Sequence, residues 1–387
     1  MIYTFWMPYL SGRYYQWIDI LKEKNIKFID YSILPKYIKN ERYNIPELLN
    51  HSDYNFKYLI NKIDSNLNNS TLIIDSDYLV DDFNYDEFVI KEKLLKIKEK
   101  VNVKIILLHK DPGLNSLDGL DNVIVVSPTQ FDYKSNDINY YLIHTGAHTK
   151  RKLFKDFFET FGGVIRHKRF LSTTGFPKPI RILMYYLLKK NNILKNTLYS
   201  NLFYTKDIEL KYDNIMLSYF GDNIKEIISE EDFDNCLEDF PIILDTIWGK
   251  TEPFSELPPL HLSMNSYFEI VNTTHFEYSE ELYTSEKVFR PFYSFTIPIY
   301  CGSPFLLKYL KELKFDLFED LIDISYDTII NPLERTLELF KNIEKLNKIQ
   351  LEEMHDFYLK NKNRLIYNFN RLSELSEEQK NKFIKLL

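Results

Sequence analysis

Glycine is scarce, at 10 of 387 residues, and only two cysteines are present, Cys236 and Cys301. So little glycine excludes a fibrous or linker-like chain. Neither cysteine sits in a CxxC or a Cys/His cluster. That excludes a disulfide framework and a structural zinc site, and a reducing, cytoplasmic setting is expected. Long hydrophobic runs are missing too. No stretch approaches about 18 consecutive apolar residues, so no membrane span is expected. The start, Met1 to Tyr9, lacks a basic segment and reads as a strand rather than a secretory signal. Positive charge is in deficit, with a formal net charge of −7. A dedicated nucleic-acid coat is disfavoured on that ground. What is abundant is aromatic: Tyr and Phe number 29 each, and 44% of residues are hydrophobic. Such a chain buries a sizeable core, and its length predicts two domains or a little more.

Short apolar runs alternate with helical patterns. Strands are expected at Ile2–Trp6, Lys27–Tyr31, Thr71–Ile74, Val103–Leu108 and Val123–Val126, with helices at Tyr14–Lys24, Tyr54–Leu67, Glu87–Lys100 and Lys150–Phe161. The texture changes at Phe161-Gly162-Gly163, where a domain boundary is placed. Beyond it come the basic cluster Arg166–Arg169, the segment Phe170-Leu171-Ser172 and a Gly/Pro-bearing loop. Helices are expected at Ile182–Lys190, Glu286–Phe295 and Leu306–Leu313. Strands are expected at Ile215–Tyr219, Pro241–Leu244, Tyr267–Val271 and Ile297–Cys301. From Leu333 to Leu387 the pattern is almost wholly helical. The fold class read from this alternation is α/β, with mostly parallel sheets covered by helices. Three parts follow: an N-terminal domain over 1–163, a C-terminal domain over 164–332, and a helical tail over 333–387 that packs back on the body.

The chemistry concentrates in Tyr267–Pro304. An apolar strand ends in Asn272-Thr273-Thr274-His275. An acidic, aromatic loop follows, and Thr284-Ser285-Glu286-Lys287 opens a helix with Ser285 as its expected N-cap. The helix feeds a buried strand that stops at Gly302-Ser303-Pro304. In an open α/β sheet, ligands bind outside the carboxyl ends of strands, where helix N-termini suit phosphate. A carboxylate at Glu286 can accept from ribose hydroxyls, and an ammonium at Lys287 can neutralise a diphosphate. Transfer from a nucleotide sugar requires leaving-group stabilisation of this kind.

These residues resemble the donor-binding signature of the family 10 glycosyltransferases, the α1,3/α1,4-fucosyltransferases. The matching elements are Phe276-Glu277-Tyr278-Ser279, Tyr283-Thr284-Ser285-Glu286-Lys287 and Thr296-Ile297-Pro298-Ile299-Tyr300-Cys301-Gly302-Ser303-Pro304. Upstream, Phe170-Leu171-Ser172-Thr173-Thr174 followed by Pro179-Ile180-Arg181 is similar to the family's arginine segment. A second register sets Asn272-Thr273 at the strand end, with an insertion after it. Further on, Phe315, Asp316, Phe318 and Ser325-Tyr326-Asp327 look like an element of a broader group of bacterial and viral sugar transferases. The resemblance covers roughly residues 165 to 327. It implies a GT-B fold, two Rossmann-like domains facing across a cleft, with the acceptor on the first and a nucleoside diphosphate sugar on the second. It also implies a metal-independent, inverting transfer to an acceptor hydroxyl with no cofactor. The donor set it implies is Arg181, Asn272, Glu277, Tyr283, Glu286, Lys287 and Gly302, with Arg181 on the phosphates.

Three other readings stay open. Asp75-Ser76-Asp77 closes an apolar strand. Asp75 or Asp77 could supply the general base, or could hold a divalent ion on the diphosphate in a metal-dependent Asp-x-Asp transferase. A viral-type transferase acting on hydroxymethylated DNA bases is the second, though the net charge weighs against DNA. A non-catalytic sugar- or nucleotide-binding module is the third.

Overall fold

The computed structural model describes residues 2–5, 27–28, 56, 60–61, 63, 69–75, 79, 87–108, 120–126, 129–130, 152–161, 163–175, 177–201, 210–242, 244, 260–273, 276, 278 and 282–386. The expected helix Tyr14–Lys24 lies outside them. The chain divides into two compact units. One comprises Met1–His144 with Ser376–Leu387, and the other Thr145–Leu375.

The first unit is built on five parallel strands in the order β2-β1-β3-β4-β5. They are β1 (Ile2–Phe5), β2 (Lys27–Phe28), β3 (Thr71–Asp75), β4 (Lys104–Leu108) and β5 (Val123–Val126). A further two-residue strand, β6, spans Thr129–Gln130. Leu72, Ile73 and Ile74 of β3 and Ile105, Ile106 and Leu107 of β4 are all buried. Continuous apolar runs of this kind mark parallel strands covered on both faces. Helix α1 (Glu87–Lys100) turns Ile90, Leu94 and Ile97 into the core. Strand order reverses between β1 and β3, and β3 ends there on Asp75.

The second unit holds four parallel strands in the order β11-β9-β7-β8. They are β7 (Lys168–Thr174), β8 (Thr197–Asn201), β9 (Ser266–Asn272) and β11 (Ile297–Cys301). The two-residue strand β10 is Leu282–Tyr283. Helix α2 (Lys152–Phe161) groups with this unit, and its Phe158 stacks flat on Phe295 at 4.0 Å. Helix α3 (Pro179–Lys190) follows β7, and α4 is Glu230–Glu238. Helices α5 (Leu260–Met264) and α6 (Glu286–Ser294) flank β9 in sequence, and α7 (Leu306–Glu312) follows β11. Three helices complete the chain: α8 (Pro332–Lys348), α9 (Leu351–Lys360) and α10 (Lys362–Leu386). The architecture is therefore α/β, with parallel sheets and a helical C-terminal region. No described helix is long and apolar enough to cross a membrane.

Two sequence expectations are corrected. Ile215–Tyr219 is not a strand but part of a helical stretch, Asp213–Leu217 continuing through Ser218–Phe220. Burial there recurs at Tyr212, Met216 and Phe220, a helical spacing of four. Among the described residues, the expected strand Pro241–Leu244 reduces to one bridge, Ile242 to Asn201. In the other direction, β7 and β8 are strands that the apolar-run reading does not find.

At the amino end of the second sheet, Arg166 is buried and donates to the carbonyls of Ser263 and Ser266 and to the Tyr358 hydroxyl. Its guanidinium carbon lies 4.1 Å from the centre of the Tyr358 ring. Tyr358 in turn donates to the Phe295 carbonyl at 2.7 Å. This cluster ties α9 to β9 and to the turn after α6. Cation–π contact and charge-assisted hydrogen bonds replace the carboxylate that usually accompanies a buried arginine.

Candidate functional site

Strand order in the second unit reverses between β7 and β9. Such a switch point opens a crevice at the carboxyl ends of the two strands. The residues at that edge are polar and buried: Ser172, Thr173 and Thr174 on β7, Ser200 and Asn201 on β8, and Asn272 and Thr273 at the end of β9. The Asn272 amide donates to the Ser172 hydroxyl at 2.9 Å, joining β9 to β7 at the switch. Thr174 donates to the Ser200 carbonyl at 2.9 Å. The Asn272 amide oxygen and the Thr173 and Ser200 hydroxyls are buried without a partner. Buried polar groups are ordinarily hydrogen-bonded, so this cluster is the kind expected where water or a ligand completes the bonding.

Helix termini add charge at the same sheet edge. Pro179 opens α3, where its fixed φ and missing N–H suit the first turn. Arg181 follows in that turn and is buried. One of its terminal nitrogens donates to the Thr273 carbonyl at 3.4 Å. Burial pushes its pKa down from the ordinary guanidinium value, while Tyr199, the Glu286 carboxylate and Cys301 oppose that shift. Ser285 takes the N-cap position of α6 with extended backbone. Its hydroxyl, however, makes no capping bond and is buried without a partner. The expected cap is thus present in position but not in bonding. Glu286 and Lys287 form an ion pair across adjacent residues. The Glu286 side chain is 5% exposed and that of Lys287 23%, so the ammonium is the member open to solvent.

Beneath that first turn lies an arrangement the sequence reading missed. Glu269, in the middle of β9, pairs with Nε of Arg290 on α6, and both are buried. Thr296 donates to the same carboxylate at 3.0 Å. The signal available was a lone glutamate inside an otherwise apolar strand, since such residues are almost never buried unpaired. Arg290 lies one turn below Glu286, so the pair fixes α6 against β9 and holds the helix start at the strand's carboxyl end.

Gly302 follows β11, and a Cβ there would come within 2.6 Å of Leu306 Cδ2 and 3.2 Å of Thr273 Cγ2. A side chain there would require Leu306 and Thr273 to give way, so glycine lets the loop pack closely on the β9 exit. Of the remaining expected donor residues, Tyr283 lies in β10, and Glu277 is outside the described residues. Strand β9 ends on Asn272, as the register that sets Asn272-Thr273 at a strand end expects. Asp75 is the last residue of β3, in the first unit, and Asp77 lies outside the described residues. Among the described residues, no group of three or more His, Cys, Asp or Glu is placed to hold a metal ion.

The Phe-Asp-x-Phe and Ser-Tyr-Asp elements are tied into the second unit by hydrogen bonds. Asp316 is gripped by two nitrogens of Arg364, at 2.6 and 2.7 Å. Tyr326 donates to the Tyr300 carbonyl at 3.1 Å. Asp327 accepts from the backbone N–H of Leu307 and of Lys308, both at 3.0 Å.

No protein-family model matches this chain. No curated protein matches it either.

Proposed function

We propose that the chain is a glycosyltransferase of GT-B type that moves a sugar from a nucleoside diphosphate sugar to an acceptor hydroxyl. The observation that carries the reading is the joint placement of Arg181, Asn272, Glu286 and Lys287 at the carboxyl edge of one parallel sheet, around its switch point. Two cations, one carboxylate and a row of hydroxyls at such an edge suit a nucleoside diphosphate. In this reading the diphosphate displaces the Lys287 ammonium from Glu286. Glu286 then accepts from ribose hydroxyls, and Lys287 and Arg181 face the phosphate oxygens. A carboxylate of the first unit, with Asp75 and Asp77 as candidates, takes the acceptor proton. The acceptor oxygen bonds to the anomeric carbon as the bond from that carbon to the diphosphate oxygen breaks, and the released charge falls on Lys287 and Arg181. The resemblance to the fucosyltransferases supports a metal-independent, inverting course. The partners are then a nucleotide sugar and a glycan or other hydroxyl acceptor, with no cofactor required.

The test is a thermal-shift panel of GDP, UDP, dTDP, ADP and CMP, with and without Mg²⁺ or Mn²⁺. A ligand of the native state raises the melting temperature once its concentration exceeds Kd. The expected result is a metal-independent rise with one diphosphate, lost in Lys287→Ala. Lys287→Ala should slow transfer about 10²–10³-fold. Its fold should hold to within about 1 kcal/mol, as the lysine is partly exposed. A second reading has one observation in its favour, the end of β3 on Asp75 at the first sheet's own order reversal. A shift that requires metal and vanishes in Asp75→Asn or Asp77→Asn would replace the proposal with that metal-dependent enzyme.

A further inference from the structure

We infer that Arg335 is a positioning residue that holds the exit loops of β9 and β11 in one fixed arrangement, and so sets the geometry of the nucleotide edge; the substrate part of this rests on the function proposed above. Arg335 is 1% exposed and sits in the first turn of α8, a helix that none of the sequence motifs includes. That turn is rigid in its own right. Pro332 opens it, and the Asn331 side chain accepts from the N–H of Leu333 at 2.9 Å and of Glu334 at 3.1 Å. From this base the guanidinium reaches two different loops. Its Nε donates to the Gly302 carbonyl at 3.1 Å, just past β11. One terminal nitrogen donates to the Phe276 carbonyl, in the segment that leaves β9. The other donates to Ile329 at 2.6 Å and to Ile330 at 3.0 Å, closing the turn that leads into α8. The guanidinium carbon also lies 4.2 Å from the centre of the Phe276 ring.

One planar group thus bridges the exits of two neighbouring parallel strands. Asn272 and Thr273 stand on one side of the bridge, and Cys301 and Gly302 on the other. The same frame continues through Asp327. Its backbone carbonyl accepts from Phe305 at 2.8 Å, and its carboxylate accepts from the N–H groups opening α7. Lysine could not replace this group, because an ammonium is a compact donor on a flexible stem and lacks the fixed fork that meets several carbonyls at once. A merely structural arginine is available for comparison in the same unit. Arg166 is equally buried and also donates to backbone carbonyls, but at the amino end of the sheet.

The experiment pairs Arg335→Lys with Arg166→Lys in the full chain. Amide hydrogen exchange is followed without ligand, and binding of the panel diphosphates is titrated calorimetrically. In Arg335→Lys, exchange should quicken in the peptides around Phe276 and Gly302, and diphosphate affinity should fall about tenfold to a hundredfold, the usual scale for a small misplacement of site groups. In Arg166→Lys, exchange should quicken around Ser266 and Tyr358, with affinity within about twofold of wild type, since distant sites act independently. Equal loss of affinity in both variants would overturn the inference, as would quickened exchange across the whole unit in Arg335→Lys. If Arg335→Lys does not unfold cooperatively, Arg335→Gln, which keeps amide donors without charge, is read by the same two measurements. If the wild-type chain binds none of the diphosphates, the proposed function fails, and the exchange pattern alone then decides the positioning role.

Discussion

Where side chains of the first sheet are described, those buried are Leu72, Ile73, Ile74, Ile105, Ile106, Leu107 and Val126, all aliphatic. The second sheet buries Ser172, Thr173, Thr174, Ser200, Asn201, Glu269 and Asn272 just as completely. Both sheets are parallel and both carry helices in sequence between their strands. The second also buries apolar residues such as Phe170, Leu171, Ile270 and Ile299, so the difference lies in the polar groups it adds. The first gains its stability from apolar area removed from water. The second gives up part of that gain, because a buried hydroxyl or amide returns little even when paired and is costly when unpaired. Folding alone would not favour such a strand edge. Polar side chains are buried at both edges, but Thr197 and Ser266, at the amino ends of β8 and β9, donate to backbone carbonyls, whereas the Thr173 and Ser200 hydroxyls and the Asn272 amide oxygen on the carboxyl side have no partner. That difference within one sheet is what the proposed nucleotide edge rests on.

The comparison can be broken first at the charged core of the second sheet. Removing Arg290 in Arg290→Met leaves Glu269 as a buried carboxylate facing only the hydroxyls of Thr296 and Ser294. The expected loss is about 3–5 kcal/mol in denaturant unfolding. The double variant Arg290→Met with Glu269→Leu should recover most of it, because replacing a whole buried pair by apolar groups is close to neutral. A single variant that unfolds like wild type would show that the pair carries no burial penalty. In the first sheet the matching change is Leu107→Ala. There the loss comes from a cavity, at about 2–5 kcal/mol, and no second substitution of a charge partner can restore it.

Much of the fold can be read from the residues, and what escapes does so for physical reasons. The runs at Thr71–Ile74, Val123–Val126 and Ile297–Cys301 appear as strands, and Glu87–Lys100 as a helix, because their burial is apolar and periodic. Strands β7 and β8 escape because Lys168–Thr174 and Thr197–Asn201 carry hydroxyls and an amide where a core strand carries aliphatics. The residues that make the edge polar are the ones that hide its strands. Glu286 and Lys287 are legible from a local motif of fixed spacing. Glu269 shows only as a lone glutamate in an apolar strand, and Arg290 and Arg335 not at all, since the contacts that join them to the strands and strand exits span 21 to 59 residues of chain.

The smallest expected effect uses the two thiols, which both belong to the second unit and therefore report on it alone. Burial pushes the Cys301 thiol up to about 12, with the charges of Arg335 and Arg181 opposing. Burial likewise pushes Cys236 up to about 12, opposed by Lys189. A thiol whose folded pKa is raised stays protonated where the unfolded one ionises, so the folded state loses stability as pH rises from the unfolded value toward the folded one. At pH 9 the native thiolate fraction is about a thousandth, and alkylation should proceed mainly through opening. Iodoacetamide labelling at that pH should therefore be slow in wild type and quicker in Arg290→Met, which loosens the unit containing both thiols. Leu107→Ala, in the other unit, should change it less. Equal acceleration by the two variants would mean that the two units open together, and the contrast between their interiors would then not extend to separate unfolding.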